Sequence, residues 1–338
     1  MKILYGVQAT GNGHISRARA MGKYLAQAGL QVDYLFSGRD AAQLFDMQQF
    51  GQFQLKRGLT FITEAGRVNY WQSVKQASLR QLWQDINTLD VSGYDLVLTD
   101  FEPITAHAAR RAKKRSIALG HQYAFLHQIP QCHNNLATQM VFKHFAPAQQ
   151  QLGLHWHHFN QPILPPIIDE EPTDIAIKPQ QVLVYLPFEQ QQQVLALLKP
   201  LTGYQFSVYG PGLAIDTVGH ISTHPPALAA FKADLASCSY VLSNAGFELI
   251  SEALQLGKRI MVKPLQGQME QQSNALALAQ LNLAHSTDQL STSAIASWLN
   301  STHQYHKVQY PNVASAICDW LVQGADKDLS TLSASLWR

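Results

Sequence analysis

The chain has 338 residues, 46% of them hydrophobic, with a mean hydropathy of −0.12 and a formal net charge of +2. That length exceeds one typical core, so two domains are expected, and the near-balanced charge excludes a nucleic-acid binder driven by phosphate attraction. Cys132, Cys238 and Cys318 are few, odd in number and far apart, which excludes a disulfide framework or a cysteine zinc site and fits a reducing, cytoplasmic setting.

Met1 to Tyr5 runs straight into Gly6 and polar residues, unlike a signal peptide, and no apolar run approaches the roughly 20 residues of a membrane span. Lys2 to Val7 reads as a buried strand. Thr10-Gly11-Asn12-Gly13-His14 follows, then a helix carrying Ala18, Met21, Leu25 and Ala28 and stopping at Gly29. Gln31 to Phe36 reads as a second strand. This is a βαβ start with a glycine-rich first turn. A dinucleotide-binding owner of that turn usually ends its second strand on an acid. Here the end is Ser37-Gly38, which argues against NAD. His14 lies where the loop meets the helix. There the dipole disfavours a second positive charge, and a neutral imidazole facing a cleft can act as a general base. The competing reading is a histidine that only hydrogen-bonds the turn.

Phe50 to Phe61 holds one or two short strands, and Trp71 to Leu89 reads as a helix. Arg67, Tyr70 and Trp71 are either core or the lining of an acceptor pocket. Tyr94 to Thr99 is a strongly apolar strand ending in Asp100-Phe101-Glu102-Pro103. Ligands in open α/β sheets sit beyond the carboxyl ends of strands, so Asp100 is placed to orient His14 or to cap the next helix. Glu102 is a further cleft candidate, and Asp-x-Glu also has the form of a metal pair. Arg110 to Arg115 is a basic helix end, supporting peripheral membrane contact at most. Ser116 to Leu119 is a strand ending at Gly120-His121-Gln122, again cleft-like. Asn134 to Gln150 reads as helix and His155 to Phe159 as a short strand. His155, His157 and His158 do not all share a strand face, so a metal site there is disfavoured.

Prolines and charges from Gln161 to Pro172 mark a linker, giving domains 1–162 and 163–338. The domain assignment leaves open a return of the last helix to the first domain. In the second half, strands are expected at Gln181 to Leu186, Tyr204 to Tyr209, Val218 to Ser222 and Arg259 to Lys263. Helices are expected at Glu189 to Leu198, Pro226 to Ala236 and through Leu278 and Leu281. Between them Tyr240-Val241-Leu242 ends a strand that hands over through Asn244-Ala245-Gly246 to a short helix closed by Gly257. Gly246 removes a side chain where something approaches the backbone, and the helix tip behind it suits phosphate. Glu252 lies roughly 9 Å further along, at 1.5 Å per residue, where a carboxylate can accept from two ribose hydroxyls. Glu270 and Gln271 start another helix at the same sheet edge. They read either as sugar contacts or as a polar helix start. Residues 305–323 read as a helix.

Taken jointly, Asn244-x-Gly246, Glu252, Pro264, Glu270-Gln271 and Asn274-Ala275 resemble the donor-binding signature of UDP-glycosyltransferases of the GT-B fold. Gly13-His14 resembles the Gly-His of the same enzymes, including the MurG-like ones, and Asp100-Phe101-Glu102-Pro103 is similar to a segment of the group. The resemblance implies an α/β chain of two Rossmann-like domains facing across a cleft. It implies an inverting, metal-independent glycosyltransferase using a UDP-sugar as substrate, with no cofactor. His14 would be the base and Asp100 its partner. Asn244 and Gly246 would meet the diphosphate, Glu252 the ribose, and Glu270 and Gln271 the donor sugar, with Phe247 a further donor-binding residue. Gly11, Gly13, Glu102 and His121 would line the acceptor side. The acceptor would be lipid-linked, a glycan or a small molecule. This chain departs from the pattern in three places. Asn244 replaces a histidine, Leu186-Pro187-Phe188-Glu189 lacks glycines, and Arg17 stands where proline is common. The alternatives are a UDP-sugar epimerase or hydrolase on the same fold, a non-catalytic nucleotide-sugar binder, and a metal-dependent transferase using Asp100 and Glu102.

Overall fold

The structure is a computed structural model. It describes residues 1–59, 62–64, 67–69, 79–132, 136–169, 175–325 and 328–337, with backbone alone at 62–64, 67–69 and 136–137.

Two mainly parallel sheets form the frame. The first has six strands: β1 (Lys2–Gln8), β2 (Gln31–Ser37), β3 (Phe53–Lys56), β6 (Leu96–Asp100), β7 (Ser116–Gly120) and β8 (Gln150–Gly153), in the order β3-β2-β1-β6-β7-β8. The second has seven: β9 (Lys178–Tyr185), β10 (Gln205–Tyr209), β11 (Asp216–Val218), β12 (Ile221–His224), β13 (Cys238–Asn244), β14 (Arg259–Lys263) and β15 (His285–Ser286), in the order β11-β12-β10-β9-β13-β14-β15. A separate antiparallel pair joins β4 (Ile62–Glu64) to β5 (Arg67–Asn69). Strands β6 and β7 are buried along their whole length, as continuous apolar runs in parallel sheets must be when both faces are covered.

Each sheet has one place where the strand order reverses. In the first it falls between β1 and β6, where Val7 pairs with Asp100. In the second it falls between β9 and β13, where Tyr185 pairs with Ser243. Such switch points open a crevice beyond the strand ends. The first helix, Asn12–Gln27, rises from one, and the helix Phe247–Gln255 rises from the other. The latter stops where Gly257 adopts φ +65°, a conformation that favours glycine.

Several expected boundaries moved. The helix after β7 covers only Leu136–His144, and Gln150 belongs to β8. No strand spans His155 to Phe159. The chain turns there because Phe159 and Asn160 take positive φ, at 47° and 57°. Val218 to Ser222 is a hairpin of β11 and β12, not one strand. The helix expected from 305 begins at Val313, after Pro311, with Asn312 capping the amide of Ser315. Of the helix expected from Trp71, the described part is Leu79–Thr88.

The linker-like segment is packed rather than loose. Ile163, Leu164 and Ile167 are buried, and Leu154 bridges to Leu164. The last helices return to the first lobe. Ile317 and Trp320 share a core with Met21 and Leu25, and Arg115 donates to the Gly324 carbonyl. Ser333 and Trp337 both donate to the Ile163 carbonyl, at 2.7 and 2.6 Å.

Candidate active site

The two switch points face each other. Asn12, in the first turn of the first helix, donates to the Tyr185 hydroxyl at the end of β9, at 3.1 Å. Gly11 precedes the helix in extended conformation, with open space where a Cβ would stand. Gly13 differs. A Cβ there would lie 2.8 Å from Cγ of Glu248, so only glycine lets the second lobe approach this closely.

His14 Nδ1 lies 2.7 Å from Oδ1 of the fully buried Asp100. One turn on, Arg17 donates to both oxygens of that carboxylate, from Nε at 2.7 Å and Nη2 at 2.6 Å. Its Nη1 donates across the cleft to Glu248. Arg17 was legible in the sequence only as a departure from proline, and Glu248 not at all. The overlooked signal is spacing, since positions 14 and 17 share a helix face.

Burial alone would raise the Asp100 carboxyl, but Arg17 and then His14 outweigh it and hold it below the usual carboxylate range. Asp100 is thus an anion beneath the imidazole. It fixes the proton on Nδ1 and leaves Nε2 to accept another. Burial likewise opposes the charge on Arg17, yet Asp100 and Glu248 hold it charged. For Glu248 burial prevails, pushing its carboxyl up to about 8 against the pull of Arg17.

Asp100 and Glu102 part company at Phe101, a bulky residue at φ 51°, a conformation costing on the order of 1 kcal/mol. Asp100 turns to His14. Glu102 turns inward and caps the helix Pro103–Arg111, accepting from the amides of Ile104 and Thr105 at 2.9 and 2.7 Å and from Ser37 Oγ at 2.7 Å. Glu102 is therefore a buried cap, not a cleft residue, and it is not placed to share an ion with Asp100. The expectation that Asp100 caps this helix is corrected likewise.

Across the cleft, the tip at Gly246 is open, with no atom within 4 Å of where a Cβ would stand. Phe247 is placed differently from expectation. Its ring is buried and stacks on His121 at 4.0 Å and 5°, so the side chain is committed to the lobe contact. His121 is buried too, bonded to the Leu154 carbonyl at 2.8 Å and to Asn274 at 2.6 Å, and burial lowers its pKa. It joins the lobes instead of lining an acceptor pocket. Asn274 in turn donates to the Ala245 carbonyl at 2.9 Å. Gln271 accepts from the Leu265 amide at 3.0 Å, bracing the loop after β14. Glu270 accepts from Gln122 at 3.2 Å.

Glu252 is 5% exposed, and its Oε1 lies 2.9 Å from Nζ of Lys232. Burial raises its pKa, with Lys232 opposing. His155 is buried among His121 and Trp156, while His157 and His158 stack on each other near Trp337. Tyr70, Trp71 and the side chain of Arg67 lie outside the described residues.

A family model described as Glycosyl transferase family 1 matches residues 1–302. This chain belongs to that family. A comparison with curated proteins finds no match. Among solved structures, the glycosyltransferase SnogD from Streptomyces nogalater is similar at 12% identity over 99% of this chain and 96% of that one, TM-score 0.57. Arabidopsis thaliana UGT89C1, solved with quercetin, is similar at 12% identity over 99% and 98%, TM-score 0.56. The glycosyltransferase VinC, solved with dTDP, is similar at 13% identity over 100% and 99%, TM-score 0.54. At such identities the likeness establishes the fold, two Rossmann-like domains of GT-B type. The chain is a glycosyltransferase, and the family selects that reading over the epimerase, hydrolase and non-catalytic alternatives.

The raised Glu248 carboxyl makes the stability of this glycosyltransferase depend on pH. Between the ordinary glutamate range and about 8, the folded state holds a proton that the unfolded chain has lost. Stability contributed by Glu248 therefore falls as pH rises through that window, by up to ~1.4 kcal/mol per pH unit. Glu248→Gln should flatten the melting-temperature profile between pH 5 and 8. An unchanged slope would mean that Glu248 is already ionised beside Arg17.

Proposed function

We propose that this glycosyltransferase moves a sugar from a UDP-sugar to an acceptor hydroxyl with inversion, His14 acting as base and no metal ion taking part. The observation that carries the reading is the His14–Asp100–Arg17 relay at one switch point, facing an open helix tip at the other. Acceptor oxygen attacks the anomeric carbon as His14 Nε2 takes its proton, and the charge formed on the imidazole is stabilised by Asp100. The sugar passes through an oxocarbenium-like state. The departing diphosphate meets the amides of the first helical turn behind Gly246, with the dipole of the helix Phe247–Gln255 behind them. Glu252, freed from Lys232, accepts from the ribose hydroxyls. A ribose offers two adjacent hydroxyls and a deoxyribose one, which favours UDP over dTDP. No described helix is long and apolar enough to cross a membrane, and a cytoplasmic location with at most peripheral membrane contact suits these substrates.

The test is a panel of nucleotide sugars followed by thermal shift, then product analysis with an aglycone acceptor. An α-configured UDP-sugar should raise the melting temperature and yield a β-glycoside. Stabilisation by no nucleotide sugar, or a product of retained configuration, would contradict the reading. Glu252→Ala should weaken UDP binding by about 10-fold or more, the scale of a charge-assisted hydrogen bond. Calorimetry showing equal affinity would remove Glu252 from the ribose site.

A further inference from the structure

The second switch point holds an ion pair that the reading above leaves unused. Lys263 ends β14 directly beside Asn244 at the end of β13, the two being paired in register. Its ammonium lies 2.6 Å from Oε1 of Glu189, in the loop after β9. The Asn244 amide nitrogen donates to the same oxygen at 3.3 Å and to the Lys263 carbonyl at 3.1 Å. Three strand ends thus converge on one carboxylate, immediately before the turn in which the Gly246 amide donates to the Asn244 carbonyl at 2.8 Å. Lys263 and Asn244 are both more than nine-tenths buried. The arrangement is also incomplete, because Asn244 Oδ1 is buried and has no partner among the described residues. Its amide nitrogen faces two acceptors, which fixes the flip and leaves Oδ1 waiting for a donor hydrogen.

We propose that Lys263 is the cationic contact for the donor's diphosphate, held by Glu189 until the donor arrives and then transferred to the phosphate oxygens. This rests on the nucleotide-sugar reading above. A nucleoside diphosphate lowered onto the Gly246 tip places its phosphates beside the Glu189–Lys263 pair. Two anions then compete for one ammonium in a poorly hydrated corner, where charge pairing is strong. The phosphate carries more charge than the carboxylate and brings helix amides with it. The Glu189 side chain is 15% exposed, which leaves it an edge from which to turn to solvent. The side-chain Oδ1 of Asn244 meanwhile accepts from a donor hydroxyl. Lys263 would supply the positive charge that asparagine at position 244 does not.

The test is calorimetry of UDP, dTDP and the matching nucleoside against the wild-type chain, Lys263→Met and Glu189→Gln. Lys263→Met should weaken the diphosphate by about 10–100-fold and leave the nucleoside unchanged. Glu189→Gln should act in the opposite direction, tightening the diphosphate several-fold because Lys263 no longer has a rival. A pair that merely braces the loop would give weaker binding in both variants, nucleoside included, and would overturn the proposal. So would unchanged diphosphate affinity in both. Should Lys263→Met fail to fold, the sign of the Glu189→Gln shift decides alone. If the wild-type chain binds neither diphosphate, the donor reading itself falls. If it binds one and the two shifts do not oppose each other, only the Lys263 assignment falls.

Discussion

His14→Ala is expected to lower the rate of glycosyl transfer by about 10²–10⁴, the usual contribution of a positioned general base, while UDP affinity changes little. The separation of the two effects follows from placement. His14 stands on the first helix, in the first lobe, whereas the proposed donor contacts stand on the strand ends and helix of the second. The imidazole touches Asp100 and Arg17 and is 14% exposed, so its removal opens a small gap at the cleft wall without uncovering the core. Measured kcat and a calorimetric Kd for UDP on the same preparation separate the outcomes. Normal turnover would show that the base is another group. Loss of UDP binding alongside turnover would show that His14 holds the donor.

Arg17→Met is expected to cost about 3–5 kcal/mol of stability, the scale on which removing one partner strands buried charge. Arg17 is the guanidinium shared by Asp100 and Glu248; it pulls both carboxyls down, while the Asp100 charge pushes the Glu248 carboxyl up. Without it, two buried carboxylates lie close together, and Asp100 keeps only its contact with His14 Nδ1. At roughly 2–4 °C per kcal/mol for a large domain, the melting temperature should fall by on the order of 10 °C. The loss should be smaller at pH 6 than at pH 9, because Glu248 can take up a proton at the lower pH. Glu248→Gln placed on top of Arg17→Met should recover part of it. A variant within about 0.5 kcal/mol of wild type would mean that the network contributes no net stability and that the lobes are held by their other contacts, among them the His121–Phe247 stack and the His121–Asn274 bond.

Much of the frame is readable from periodicity. The strands at Lys2–Gln8, Leu96–Asp100, Ser116–Gly120 and Arg259–Lys263 are continuous apolar runs bounded by polar strand ends, a pattern a parallel sheet requires. The Asn244-Ala245-Gly246 turn and the stop at Gly257 are readable for the same reason, since glycine marks a backbone need rather than a packing choice. His14 and Asp100 could be paired because both lie at carboxyl ends flanking one crevice. What sequence reasoning missed depends on contacts between distant parts of the chain. Glu248 looks like an ordinary acid in a first helical turn, and only the facing Arg17 shows otherwise. Lys263 looks like a strand terminus until Glu189 is seen beside it. Glu102 looks like half of a metal pair because the backbone reversal at Phe101 leaves no trace in residue type. The proline-rich stretch at 161–166 reads as a linker by composition, yet Ile163 and Leu164 are core. His121 and Phe247, each taken for a ligand contact, prove to be each other's partner. Aromatic rings at a cleft are as suited to gluing two lobes as to gripping a substrate.

The central claim is that a nucleotide sugar spans the second switch point, diphosphate at the Gly246 tip and ribose at Glu252, opposite His14. A crystal structure of the chain with UDP tests it most directly. The account predicts phosphate oxygens within hydrogen-bond reach of the first amides of the helix behind Gly246, and Glu252 turned from Lys232 to the ribose hydroxyls. UDP bound elsewhere, with the Lys232–Glu252 pair intact and the tip empty, would contradict it.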